Sequence, residues 1–293
     1  MKHQELKQFM DAHGWGQKQV AQHFGKSITT ISQYLNDKYN GDVSELDRKT
    51  DELIALHRDK TSEARYSTQF VPTLASKRGM RVMRYAQADG DINVIFGAAG
   101  LGKTQMLKQY AKENSSAVLI ETDPSCTPKV LLRKLCEVVG ANARGNNNEL
   151  LEAIVDKLRN SGRLILVDEA ELLSTRSLEF LRRIHDLTGI GIVLAGMPRL
   201  IVNLRGKNND LAQLYSRVGF ACDLGNELEK DDLALIATQT LGTSEFNEAL
   251  IKASNGNARR LSKIMRGVVR ASEINDISID DDLINEFTKM LIN

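Results

Sequence analysis

Ile92-Asn93-Val94-Ile95-Phe96-Gly97-Ala98-Ala99-Gly100-Leu101-Gly102-Lys103-Thr104 is an apolar run that ends in a glycine-rich turn and then a lysine and a threonine. The last eight residues match GxxxxGK[ST], and chance supplies such a match in a chain of this length about 1% of the time. Glycines let such a loop curl so that backbone N–H groups converge on phosphate oxygens. The helix expected from Lys103 to about Glu113 adds its positive N-terminal end. In this pattern Lys103 reaches β- and γ-phosphates and the Thr104 hydroxyl ligates Mg²⁺. The spacing therefore predicts strand, phosphate loop and helix, with ATP and Mg²⁺ as ligands and Gly97, Ala98, Ala99, Gly100, Leu101, Gly102, Lys103 and Thr104 around the nucleotide.

Further along, Leu164-Ile165-Leu166-Val167-Asp168-Glu169 is a second apolar run, with two acids at its exit. An aspartate at such a strand end holds Mg²⁺ through water, and a neighbouring glutamate can take the proton of an attacking water. Asp168 is assigned to the metal and Glu169 to water activation. Three more apolar runs, Ala117–Glu121, Ile190–Ala195 and Val218–Cys222, alternate with amphipathic stretches. Five such runs predict an α/β core with a five-stranded parallel sheet covered on both faces. From Leu228 onward helices are expected at about 230–241, 244–254, 258–273 and 279–291, an all-helical end.

These features together resemble an AAA+ ATPase. Two arginines extend the likeness. Arg217, in Gln213-Leu214-Tyr215-Ser216-Arg217 before the fifth strand, lies where that family places an arginine finger for a neighbouring subunit's γ-phosphate. Arg259, in Gly256-Asn257-Ala258-Arg259, resembles the sensor 2 arginine of the lid. The likeness also has a gap. The family usually ends the fourth strand with a polar residue, sensor 1, whereas this strand ends Leu194-Ala195-Gly196-Met197. The expected enzyme is slow, with a turnover below roughly 10 s⁻¹.

Ahead of the core, Gln17–Asn36 reads as a repressor-like helix-turn-helix. Ala21 allows a close helix crossing, Gly25 takes the turn, and Ile31 fills the core, with Val20, Phe24, Ile28 and Leu35 completing the apolar face and Trp15 beneath it. The second helix would offer Ser27, Thr29, Thr30 and Gln33 to bases or phosphates, with Lys18, Lys26 and Lys38 near phosphates. Yet residues 1–56 hold seven basic and eight acidic side chains, a weak bulk drive towards DNA. A helical protein–protein module fits the same pattern.

The domains expected are a helix-turn-helix domain over 1–56, a polar linker over 57–72, the ATPase core over 73–226 and a helical lid over 227–293. Net charge is +1, which excludes a polycation, but charge is uneven. Residues 65–88 carry +5 and residues 272–286 carry −6; both fit interaction surfaces or solvated helix faces. Cys126, Cys136 and Cys222 form no metal or disulfide framework and fit a reducing compartment. No apolar run reaches the roughly 18 residues of a membrane span, and Met1–Met10 lacks the apolar stretch of a secretory leader. A cytoplasmic location is expected, with no membrane partner.

The order of helix-turn-helix, linker, core and lid, with the Asp168-Glu169-Ala170-Glu171 and Gly196-Met197-Pro198-Arg199-Leu200 runs, resembles the transposition protein B family of Mu-like phages. That resemblance implies an ATP-dependent helical filament on duplex DNA, delivery of this target DNA to a transposase, activation of the transposase, and transposase-stimulated hydrolysis that gives target immunity. Non-specific DNA contact would fall to Arg144 first, then to Lys129, Arg199, Arg205 and Lys207. An ATP-regulated transcription regulator and a helicase loader remain alternatives.

Overall fold

The computed structural model describes residues 1–63, 69–206 and 211–291. The helices are α1 (Lys2–His13), α2 (Gln17–Phe24), α3 (Ile28–Leu35), α4 (Val43–Glu63), α5 (Leu74–Asp89), α6 (Lys103–Glu113), α7 (Pro128–Val139), α8 (Asn147–Leu158), α9 (Thr175–Thr188), α10 (Arg199–Arg205), α11 (Ala212–Tyr215), α12 (Lys230–Leu241), α13 (Asn247–Ser254), α14 (Ala258–Asn275) and α15 (Asp281–Met290). The strands are β1 (Ile92–Phe96), β2 (Ala117–Glu121), β3 (Leu164–Asp168), β4 (Gly191–Gly196) and β5 (Val218–Asp223). Two compact units result, one of α1–α4 together with Glu273–Asp276, the other of α5–α13, α14 as far as Ser272, α15 and the five strands. No helix among the described residues is long and apolar enough to cross a membrane.

In the first unit, α2 ends at Gly25, whose φ of +62° suits glycine. The turn leads into α3. Val20, Ala21, Phe24 and Ile31 are buried with Leu6, Phe9, Met10, Tyr34, Leu46 and Leu53, and Trp15 packs edge-on against Phe9. Ile28 departs from the expected apolar face: it is 50% exposed, because it opens α3 before that helix turns its face to the core. The helix α4 runs on to Glu63, through the first part of the stretch read as linker; residues 64–68 lie outside the described residues.

The second unit is organised by its sheet, ordered β2-β3-β4-β1-β5 and parallel throughout. Sequence runs and strands agree to within a residue at each end. Ile92, Val94, Ile165, Val167, Ile192 and Leu194 face a core shared with α7, α8 and α9, as alternation in a strand requires. On the other face α5 lies against β1, β4 and β5. A Cβ on Gly79 would come within 2.3 Å of Met106 Sδ, and one on Gly191 within 2.0 Å of the Ala86 carbonyl oxygen. Glycine at these places lets α5 press against α6 and β4.

Buried Asn93 repairs a register shift between β1 and β5. Its Oδ1 accepts from the Phe220 N–H at 2.8 Å and its Nδ2 donates to the Val82 carbonyl at 3.0 Å. Asp232, on α12, is also buried. Its carboxylate accepts from the Leu74 and Ala75 N–H groups at 2.6 and 3.0 Å. It thus caps α5 and ties the helical end of the chain to the sheet layer. All three cysteines are buried and free.

Candidate nucleotide site

Parallel strands deliver their C-terminal ends to one edge of the sheet, and there the phosphate loop sits between β1 and α6. Gly100 and Gly102 have φ of +84° and +85°, backbone that a side chain would strain. A Cβ on Gly97 would come within 2.9 Å of Leu224 Cβ. The loop is held from three sides. Its Gly97 N–H donates to the Gly196 carbonyl at 3.3 Å, its Ala98 N–H donates to the Gly225 carbonyl at 2.9 Å, and its Gly100 carbonyl accepts from the Arg259 N–H at 3.3 Å. Asn257 Nδ2 donates to the Ala99 carbonyl at 3.0 Å. The Gly256–Arg259 run therefore lies directly on the loop, at the start of α14.

Lys103 Nζ donates to the Gly97 and Ala98 carbonyls at 2.7 Å each. Burial pushes its ammonium below the ordinary lysine range, and the carboxylates of Glu171, Asp168 and Glu169 act against that push, while Arg259 adds to it. So Asp168, Glu169 and Arg259, chosen from sequence, and Glu171, assigned no role there, all act on the loop lysine. Thr104 follows it on α6, half-buried.

Asp168 closes β3, buried, with its Oδ1 accepting from the Glu169 N–H at 3.0 Å. Glu169 is exposed and has φ of +54°, a left-handed backbone that costs a non-glycine residue energy. Thr122, just beyond β2, holds that turn. Its hydroxyl lies 2.9 Å from the Asp168 carbonyl and 2.8 Å from that of Glu169. Thr122 was missed in the sequence; a polar residue just past a strand end is too common to single out.

The loop's glycine curl, Lys103 and the α6 N-terminus fit a triphosphate. Thr104 and Asp168 are oxygen donors suited to Mg²⁺, which usually takes one or two protein ligands together with phosphate and water. Among the described residues no cluster of three or more His, Cys, Asp or Glu could hold a metal by itself.

Arg217 lies elsewhere. It precedes Val218, which pairs with Ile92 at the start of β1, whereas Gly97 follows Phe96 at the other end. The Ile92 and Phe96 levels alone are about 13 Å apart, at roughly 3.3 Å per strand residue. The Arg217 Nε donates to Asp186 on α9 at 2.5 Å and its Nη1 to the Gln213 carbonyl at 2.8 Å.

The residues expected to meet DNA are mostly exposed and scattered. Arg144 lies in the loop before α8, Lys129 in the first turn of α7, and Arg205 at the end of α10. Arg199 opens α10 and lies 3.9 Å from Glu171 Oε1. Lys207 is outside the described residues. In the first unit Thr29 and Gln33 are exposed on α3. Ser27 Oγ caps that helix, accepting from the Thr30 N–H at 3.1 Å, and lies 2.9 Å from the Thr30 hydroxyl. Lys26 is committed to Glu45 at 2.7 Å. Lys18 and Lys38 are exposed.

This fold and this loop define an ATP-binding ATPase of the AAA class, and residues 87–204 match the family described as AAA domain. The chain belongs to the Mu transposition protein B family. It is 32% identical over 224 residues to the ATP-dependent target DNA activator B of Escherichia phage Mu, covering 75% of this chain and 71% of that one. It is 27% identical over 249 residues to the Mu-like prophage FluMu DNA transposition protein B of Haemophilus influenzae, covering 82% and 86%. Among solved structures, the Aeropyrum pernix ORC2 protein in its ADPNP–ADP complexes matches with a TM-score of 0.63 at 19% identity, covering 78% of this chain and 72% of that one. At that identity the likeness is one of fold.

Proposed function

We propose that this ATPase assembles with ATP into a helical filament on duplex DNA of nearly any sequence, presents that DNA to a transposase and activates it. Hydrolysis, slow in isolation and stimulated by the transposase, then clears the DNA near the element's own ends, which is target immunity. The observation that carries the reading is the place of Arg217. An arginine at the opposite end of the sheet from its own phosphate loop serves a nucleotide only across a subunit boundary, which makes ATP the link between protomers. The printed names of the relatives, a target DNA activator and a transposition protein, support the DNA and transposase roles. In this reading 73–226 form the core and 227–293 the lid, with Arg259 on the γ-phosphate and Mg²⁺ held by Thr104 and, through water, by Asp168. Arg144, Lys129, Arg199, Arg205 and Lys207 supply phosphate contacts, and Thr29 and Gln33 a weaker one. The setting is the cytoplasm of the host.

Retention of several unrelated duplexes, measured with ATP and with ADP over a salt series, tests it. Tight binding with ATP, weak binding with ADP and little dependence on sequence are expected. A preference for one site of about 10³-fold or more would instead make the chain a transcription regulator. A stoichiometric complex with a helicase, and no effect on strand transfer, would make it a loader.

Arg217→Ala should lose DNA-stimulated hydrolysis alone yet regain activity when mixed with a Lys103→Ala protein. Each variant then supplies what the other lacks, at one kind of mixed interface. Hydrolysis in the mixture no higher than the sum of the two alone would contradict a finger acting between subunits.

A further inference from the structure

The strand end that lacks a polar side chain is not bare. Glu171 lies in the 3-10 turn Ala170–Leu172 that follows β3, and it is buried. Its carboxylate points at the end of β4: a Cβ on Gly196 would come within 2.1 Å of Glu171 Oε2 and 3.1 Å of its Cδ. Gly196 in turn is bonded to Gly97 at the head of the phosphate loop. Among the described residues no hydrogen-bond donor reaches Oε2. The opposite oxygen, Oε1, stands 3.9 Å from Arg199, and the Glu171 carbonyl accepts from Asn203 Nδ2 at 3.0 Å. A buried carboxylate oxygen without a donor is costly. Its cost is met if a donor arrives with the substrate.

We propose that Glu171 does the work of the missing sensor 1, its carboxylate taking the space that Gly196 leaves open and orienting the attacking water. This rests on the reading of residues 97–104 as the ATP site. In the reaction the water oxygen bonds to the γ-phosphorus while the bond from that phosphorus to the β–γ bridging oxygen breaks. The electron pair of the broken bond leaves on ADP, and one water proton passes to Glu169. The Glu171 carboxylate, turning Oε2 away from its closed position against Gly196, accepts a hydrogen bond from the other O–H and so aims the lone pair. The swap also explains the glycine: any side chain at 196 would meet the carboxylate. A third carboxylate, beside Asp168 and Glu169, works against the incoming triphosphate, in line with a slow enzyme.

The test uses the full chain and three readouts: kcat, ATP affinity from a fluorescent ATP analogue, and melting temperature. Glu171→Leu keeps the bulk and removes the acceptor. It should lower kcat roughly tenfold to a hundredfold, near the range for one oriented transition-state contact. Affinity and melting temperature should hold or rise, because the variant loses a buried, unpaired charge. The double change Glu171→Ala with Gly196→Asn restores a polar group at the strand end and should recover much of the loss relative to Glu171→Ala. Wild-type turnover in Glu171→Leu would overturn the proposal. So would a joint fall in kcat, affinity and melting temperature that Gly196→Asn does not relieve, which would mark Glu171 as structural. Failure of the unaltered chain to bind the analogue would overturn the ATP site beneath it.

Discussion

The Lys103→Ala protein loses ATP: its affinity should fall by a hundredfold or more, a change of at least about 2.8 kcal/mol at roughly 1.4 kcal/mol per decade. In the structure the ammonium bridges the Gly97 and Ala98 carbonyls, 2.7 Å from each. It is thus fixed on the loop that would hold the phosphates. Charge-assisted hydrogen bonds to a phosphate contribute about 1.5–3 kcal/mol each, and alanine offers none. The fold should survive. Burial lowers the pKa of this lysine relative to the unfolded chain, so below the lowered value the charged form opposes folding, and that penalty fades only as pH rises towards 10.5. At neutral pH removing the amine relieves that cost but also gives up the two hydrogen bonds to the loop carbonyls, so the melting temperature without nucleotide should stay close to that of the unaltered chain. DNA-dependent assembly should vanish together with ATP binding, as light scattering or electron microscopy would show. Assembly retained without nucleotide would break the coupling.

Glu169→Gln should behave in the opposite way. It should bind ATP as tightly as before yet hydrolyse it some 10²–10⁴ times more slowly, the range for loss of a positioned general base. Glutamine keeps the size of the side chain and makes the same demand on the left-handed backbone at φ +54°, so the turn held by Thr122 stays in place. What it removes is the ability to take a proton. The assembled state should then persist on DNA for as long as ATP is present. Disassembly at the unaltered rate would take Glu169 out of this role.

The strands were legible because β-branched and aliphatic runs stop abruptly at glycine or acid, and both signals are local. The phosphate loop was legible for the same reason. The Gly256–Arg259 run was placed from its position in the order of elements, and it lies on the loop. What escaped depends on chain segments far apart. The strand order is set by crossover connections and leaves no period in the sequence. Asp232 caps a helix 157 residues earlier, and Arg217 meets Asp186 across 31 residues; neither pairing has a local sign. Ile28 carries the right residue type for a core but sits in the first turn of α3, where the face is not yet inward. Glu171 left a faint signal. It is a third acid, three residues after Asp168, and the fourth strand ends in glycine at 196; only the fold brings the two together.

Equilibrium binding of ATP with magnesium to the purified chain tests the central claim, that a triphosphate is held by residues 97–104. One nucleotide per chain, lost in Lys103→Ala, is the predicted result. No ATP retained by the unaltered chain, or binding indifferent to Lys103→Ala, would contradict it.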